Sequence, residues 1–260
     1  MTRALNFDQH NFQLARNYTF QERRVVKALD KNGSQKHLDI QTYDVTILYD
    51  EPYSRLIQKN DKPLTEKEEQ KEEEKLDKFI AKHKNESEKD RQERAAKREK
   101  ERHQGRAFSA DVMNAYDFRL SGEEQIDGRD VYVIEAEPRK DFHPTQPHAD
   151  ILSKIRGKVW IDKKEYGWVK VEAETLDTIS WGLLLFRIHK GSKLKFEQTH
   201  LNDEIWLPRQ ISVSGGARIA VLVNSIFEFE DSFSNYKKFG VGSRILPGVK
   251  EADVPPDAPK

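Results

Sequence analysis

The sequence contains no cysteine. That excludes a disulfide framework, a thiolate metal site, a cysteine nucleophile and a lipid-modified N-terminal cysteine in this chain. It does not choose a compartment, because a cysteine-free chain suits cytosol and envelope alike. Net charge is also missing: 45 Lys and Arg balance 45 Asp and Glu, so nothing points to nucleic acid held by phosphate electrostatics. Long hydrophobic runs are missing too. The longest apolar cluster is Trp181-Gly-Leu-Leu-Leu-Phe186, far short of the roughly 18 residues that a membrane-spanning helix needs. Residues 1 to 8 lack the apolar core of a signal peptide. Two situations fit: a cytoplasmic protein, or a mature form whose export signal has been removed.

Motifs that carry chemistry are scarce. There is no Gly-rich phosphate loop, nucleophile elbow, paired-His zinc helix or EF-hand loop. His143, His148 and Asp150 are the only ligand-type residues close together, and their spacing matches no tight tetrahedral pattern. They sit in a Pro-rich stretch that reads as a solvated loop. Carboxylates are abundant but scattered, so no general acid/base pair stands out and no cofactor, metal or catalytic residue is assigned.

What is present is segregated. Hydrophobic residues make up 36% and charged residues 35% of 260, and one internal stretch, 65–104, holds a large share of the charge. The remainder is rich enough in aliphatic and aromatic residues to bury a core. A short helix is expected over residues 3 to 16. From Tyr18 the period becomes two, giving a long strand that ends at Asp30-Lys-Asn-Gly33. Strands over 38–48 and 53–58 follow.

Thr65 and Glu68 then fit a capping box, and the 65–104 insertion opens acidic and ends basic, which complements a helix dipole. Asn85 to Asp90 should break it into two helices with Ser87 as the second N-cap. Only Leu76, Phe79, Ile80 and the flanking His83 offer a docking stripe. A solvated helical arm and a partner-binding arm both fit this pattern.

Beyond Gly105 a short helix is expected over 107–115. A turn at Ile126-Asp-Gly-Arg129 joins two strands, and a helical turn falls near 151–155. Residues 158–162 and 168–174 form the clearest hairpin, with Val169, Val171 and Ala173 on its inward face and Lys170, Glu172 and Glu174 outside. Strands over 194–200, 205–213 and 217–230 complete about ten, mostly joined by short turns. They make a mainly β (α+β) chain with a single antiparallel sheet. One domain spans 1–240, and 241–260 read as a Pro-rich tail.

The stretch Thr178 to His189 is apolar on both faces and needs cover on both sides if it is a strand. It reads either as a core strand or plug, or as part of an apolar ligand cavity or membrane contact. Trp160, Trp168 and Trp206 are equally open to core and cavity roles.

Two runs resemble lipoprotein-sorting proteins of the LolA/LolB type: Ile155-Arg-Gly-Lys-Val-Trp-Ile-Asp-Lys163 leading to Trp168-Val-Lys-Val-Glu-Ala-Glu174, and Phe196-Glu-Gln-Thr-His-Leu-Asn-Asp-Glu-Ile-Trp-Leu-Pro208. Tyr18 to Arg24 and Arg55 to Leu64 resemble an uncharacterised bacterial branch of that family. The resemblance covers about residues 15 to 240. It implies a curved antiparallel sheet forming an incomplete barrel, with helices over the concave side. It also implies a periplasmic, non-catalytic carrier or binder of lipid or lipoprotein acyl chains. Trp160, Trp168, Trp181, Leu183, Leu185, Phe186 and Trp206 are the cavity candidates. An envelope sensing or interaction protein, with 65–104 as its partner-binding arm, is the alternative. The insertion departs from the best-known carriers, and their ligand contacts do not map onto this chain residue by residue.

Overall fold

The computed structural model describes all residues except 16, 31, 50, 182–185, 220–222 and 239–260. The chain opens with helix α1 (Thr2–Ala15), followed by strands β1 (Tyr18–Leu29), β2 (Gln35–Leu48), β3 (Glu51–Lys59) and β4 (Lys62–Pro63). Helices α2 (Glu66–Lys84) and α3 (Glu88–Ala115) come next. The strands resume with β5 (Tyr116–Ile126) and β6 (Arg129–Pro138), and a 3-10 turn (Ala149–Lys154) precedes β7 (Ile155–Asp162). The remaining strands are β8 (Trp168–Thr175), β9 (Ile179–Trp181), β10 (Phe186–Ile188), β11 (Lys193–Leu201), β12 (Ile205–Ile219) and β13 (Val223–Lys238).

All of these strands join one antiparallel sheet in the order β4-β3-β2-β1-β13-β12-β11-β8-β7-β6-β5, with the small β9–β10 hairpin attached to β12. The sheet does not close into a barrel. One open edge is blunted by the two-residue β4 and its Pro63, which cannot donate to a further strand. Asp127 and Gly128, both at positive φ (50° and 77°), make the tight β5–β6 turn that an Asp-Gly pair favours.

Residues paired across β8, β11 and β12 separate the two faces. Val171 stands opposite Phe196, and Phe196 opposite Ile211, on one face. On the other, Lys195 stands opposite both Glu172 and Ser212. Across-strand ion pairs such as Arg156–Glu174 (3.0 Å) and Lys27–Glu228 (3.2 Å) continue that charged face. The apolar face is covered by helices. Ala4 of α1 packs on Val159 and Ile161, and Phe108 and Val112 of α3 pack on Tyr116, Ala136 and Leu152.

Local sequence explains how the covering helices are held. Asn11 spans the point where β12 runs past the end of its pairing with β13. Its Nδ2 donates to the Trp206 carbonyl (2.6 Å), and its Oδ1 accepts from the Trp206 N–H (2.9 Å). Asp111 of α3 is 1% exposed and accepts from Thr145 N, Thr145 Oγ1 and Gln146 N at 2.8–2.9 Å. The loop between β6 and β7 that holds His143 and His148 is thereby fastened to α3.

The charged insertion is docked on the sheet. Thr65 and Ser87 open the two helices: Glu68 accepts from the Thr65 N–H and hydroxyl, and at Ser87 the box is reciprocal, with Ser87 Oγ accepting from Asp90 N–H and the Asp90 carboxylate accepting from Ser87 N–H. Phe79 and His83 of α2 stack against Tyr49 and Tyr53. Arg94 of α3 reaches back to Glu86 (2.8 Å), Glu51 (3.2 Å) and the Tyr49 carbonyl (3.0 Å). The outward positions carry Lys89–Glu93 and Lys97–Glu101 pairs at 3.8–4.0 Å.

Four expectations change. The helix expected over 107–115 is the end of α3, which runs unbroken through Gly105; one glycine costs only about 1 kcal/mol in a helix. The described residues of Thr178 to His189 form not one strand but two short ones, β9 and β10, paired antiparallel with Trp181 opposite Phe186. Gly215 and Gly216 do not separate two strands. They lie inside β12, paired with Phe227 and Ile226 of β13, where a Cβ at Gly215 would collide with Ser192 and one at Gly216 would approach His189 to 2.9 Å. β12 runs on to Ile219, and β13 begins at Val223.

The fourth change is a bulge in β8. Trp160 stands opposite Lys170, but Ile161 stands opposite Trp168, so Val169 is an extra residue. A bulge switches the facing of everything beyond it. Val169 therefore packs with Trp160, whereas Trp168 and Val171 share the helix-covered face with Val159 and Ile161.

Candidate functional site

The helix-covered face does not fill completely. Between α1, α3 and strands β8, β11 and β12 lies a cleft of about 490 Å³. Leu5 contributes from α1, and Ser109 and Val112 from α3. The floor is Trp168 and Val171 of β8, Leu194, Phe196 and Gln198 of β11, and Ile211 of β12. The volume lies in the range of about 300–1,000 Å³ usual for ligand pockets.

The cleft's chemistry is almost wholly apolar. Ser109 Oγ donates to the Gly105 carbonyl at 3.0 Å, so its proton is engaged within the helix. Gln198 makes no side-chain hydrogen bond among the described residues. Trp168 Nε1 is buried and also has no partner among them. No lining residue is ionisable.

A charged group borders the cleft one strand further on. Asp231 of β13 lies opposite Ile211 on one side and Arg24 of β1 on the other. Arg24 Nε donates to Asp231 at 3.1 Å, and its Nη2 donates to Glu22. The guanidinium also lies 5.7 Å from the Tyr43 ring centre and 5.8 Å from that of Phe229. Burial pushes the Glu22 carboxyl up despite the opposing pull of Arg24. Two carboxylates thus occupy the one guanidinium, so Arg24 is not free to meet an anionic ligand.

The chain is similar to solved LolA-superfamily structures over nearly its whole length. An outer-membrane lipoprotein-sorting protein domain from Vibrio parahaemolyticus is 13% identical, with 96% of this chain and 94% of that chain covered and a TM-score of 0.30. A LolA-superfamily protein from Nitrosomonas europaea is 12% identical, with 94% of each chain covered and a TM-score of 0.30. A MucA/MucB complex from Pseudomonas aeruginosa matches at 10% identity, 91% and 99% coverage and a TM-score of 0.25. No family model and no curated protein matches the chain. At such TM-scores the likeness carries no argument about ligand or partner, which rests on the cleft itself.

Of the cavity candidates whose side chains are described, Trp168 lines the cleft and Trp160 and Trp206 do not. Trp160 and Trp206 lie together in a core cluster with Val131, Val133 and Val169. The Trp160 indole donates to Glu124 at 2.8 Å, and Lys170 Nζ lies 4.3 Å from its ring centre. Trp206 is 2% exposed. It donates to Glu165 at 3.0 Å, lies under the Arg129 guanidinium at 5.1 Å, and meets the His200 ring at 4.9 Å. Trp181 and Phe186 pair across the β9–β10 hairpin, and Leu183 and Leu185 lie outside the described residues.

The lining residues that sequence reading missed are Leu5, Ser109, Val112, Val171, Leu194, Phe196, Gln198 and Ile211. Alternation in β11 does mark Leu194, Phe196 and Gln198 as one face. Which strands and helices meet there depends on register and on the β8 bulge, and no local pattern carries those.

Proposed function

We propose that this protein is a non-catalytic periplasmic binder or carrier of the acyl chains of lipids or lipoproteins, and that the chain lies in the cleft between α1, α3 and the sheet. The observation that carries this reading is the cleft, with its apolar floor and helical roof. Each methylene that leaves water contributes about 0.8 kcal/mol, so an apolar hollow of this size holds a hydrocarbon tail without any charged contact. A lining with one hydroxyl, one amide and no ionisable group suits holding a chain rather than reacting with it. The resemblance of residues 155–174 and 196–208 to lipoprotein-sorting proteins agrees with this use and with an envelope location.

The test is titration with a dodecanoyl amide carrying an environment-sensitive fluorophore at its far end. Saturable uptake is expected, weakened at least about tenfold by Val112→Trp, whose larger ring takes up cleft volume at the cost of the methylene contacts. Uptake that does not saturate, or that Val112→Trp leaves unchanged in a folded protein, contradicts the reading.

A further inference from the structure

The two edges of the sheet differ. At one, the two-residue β4 and its Pro63 leave little to pair with. At the other, β5 runs from Tyr116 to Ile126, contains no proline and pairs with β6 alone. The outer side of β5 forms no backbone hydrogen bond among the described residues. An edge of this kind is a template for another strand.

Side chains along the first half of β5 alternate without interruption. Tyr116, Phe118 and Leu120 share the helix-covered face. The first two pack with Ala136 and Leu152, and Leu120 stands opposite Ile134. Leu120 is 59% exposed, the most exposed large hydrophobic side chain among the described residues. Asp117 and Arg119 lie on the other face, with side chains 80% and 73% exposed. Arg119 has Glu135 beside it on β6, but Asp117 stands opposite Glu137, and like charges directly opposite are unfavourable. The alternation stops at Ser121, the extra residue of a bulge.

Laid antiparallel on a copy of itself about Phe118, this segment matches residue for residue. Phe118 meets Phe118 of the second copy and Leu120 meets Tyr116, all on the helix-covered face. On the opposite face Asp117 meets Arg119, once on each side of the axis. A two-fold axis normal to the sheet keeps like faces together, so this pairing is open to two identical chains. Moving the axis by one residue either way would set Asp117 or Arg119 against itself. The match is also bounded, because Ser121 would stand opposite Ala115, the last residue of α3.

We infer that β5 is a self-recognition edge, through which two copies of this chain pair over residues 116–120 into one continuous antiparallel sheet. Assembly stops at two, since each copy has used its β5 edge and Pro63 blunts the other. The two charges turn away unrelated strands and complement a copy. The pairing is independent of the acyl-chain reading, and neither falls with the other.

The experiment is sedimentation velocity of the full chain across a dilution series. Wild type is expected to pass from dimer to monomer on dilution. Arg119→Asp sets a second carboxylate against Asp117 at both ends of the contact and should raise the dimer dissociation constant at least about tenfold. Combining it with Asp117→Arg restores opposite charges across the axis and should return the constant to within about threefold of wild type. The chain has no cysteine of its own, so Asp117→Cys and Arg119→Cys report the register. Mixed under mild oxidation, these two variants should form a disulfide-linked pair faster than either alone, because only the mixture sets the introduced thiols opposite each other.

A wild type that stays monomeric across the series overturns the inference. So does a dimer that Arg119→Asp leaves intact, one that the charge exchange fails to restore, or crosslinking no faster in the mixture than in either variant alone.

Discussion

Trp206 and Gly167 fix each other. A Cβ at Gly167 would stand 2.5 Å from Trp206 Nε1 and 2.8 Å from two carbons of the same ring. The ring cannot swing aside without giving up its bond to Glu165 and its stacking under Arg129. Gly167→Ala should therefore destabilise the fold by about 1–3 kcal/mol, the usual cost of overpacking, seen as a lower thermal midpoint.

Asp111 gives a pH-dependent counterpart. Burial alone would raise its carboxyl, but the bonds from Thr145 and Gln146 outweigh that and hold it below its ordinary 3.8. A lowered carboxyl stabilises the fold fully above its unfolded value and loses that contribution as pH falls through the folded one. Asp111→Asn should therefore cost about 1–3 kcal/mol at pH 7. The gap to wild type should narrow below about pH 4, near the unfolded carboxyl value. Denaturant melts at pH 7 and pH 3 check this, and a gap that widens on acidification contradicts it.

Among the elements, α1 depends on one side chain. Asn11 satisfies both backbone groups of the buried Trp206, so Asn11→Ala leaves two of them unpaired. The expected loss is about 1–3 kcal/mol, accompanied by faster amide exchange in α1, where Leu5 roofs the cleft. Exchange that speeds up uniformly over the sheet and not in α1 would show that the bond is not what holds the helix.

How legible each element was follows the range of its cause. The helix caps at Thr65 and Ser87 and the Asp127-Gly128 turn are set within four residues, and the sequence shows each of them. The run through Gly105 is less clear, because tertiary contacts at Phe108 and Val112 outweigh a local penalty. The glycines of β12 read as a boundary, yet they answer to Ser192 and His189 on a different part of the chain. The cleft was least legible. Tryptophan richness drew attention to Trp160 and Trp206, whose partners Glu124, Glu165 and Arg129 lie far off in sequence, while the β8 bulge alone turns Trp168 toward α1.

The whole molecule is one open sheet with two unlike faces. One face is charged across β1, β8, β11, β12 and β13, and the other is covered by α1 and the end of α3, with the cleft left between them. The insertion extends from that covering and is fastened through Arg94, Glu51 and Glu86. The most direct test of the central claim is native mass spectrometry, with lipid extraction, of wild type and Val112→Trp purified from an envelope fraction. An acylated molecule bound one to one in wild type and missing from folded Val112→Trp is the predicted result. A ligand-free wild type that also takes up no added acyl ester, or equal loading of both proteins, would contradict it.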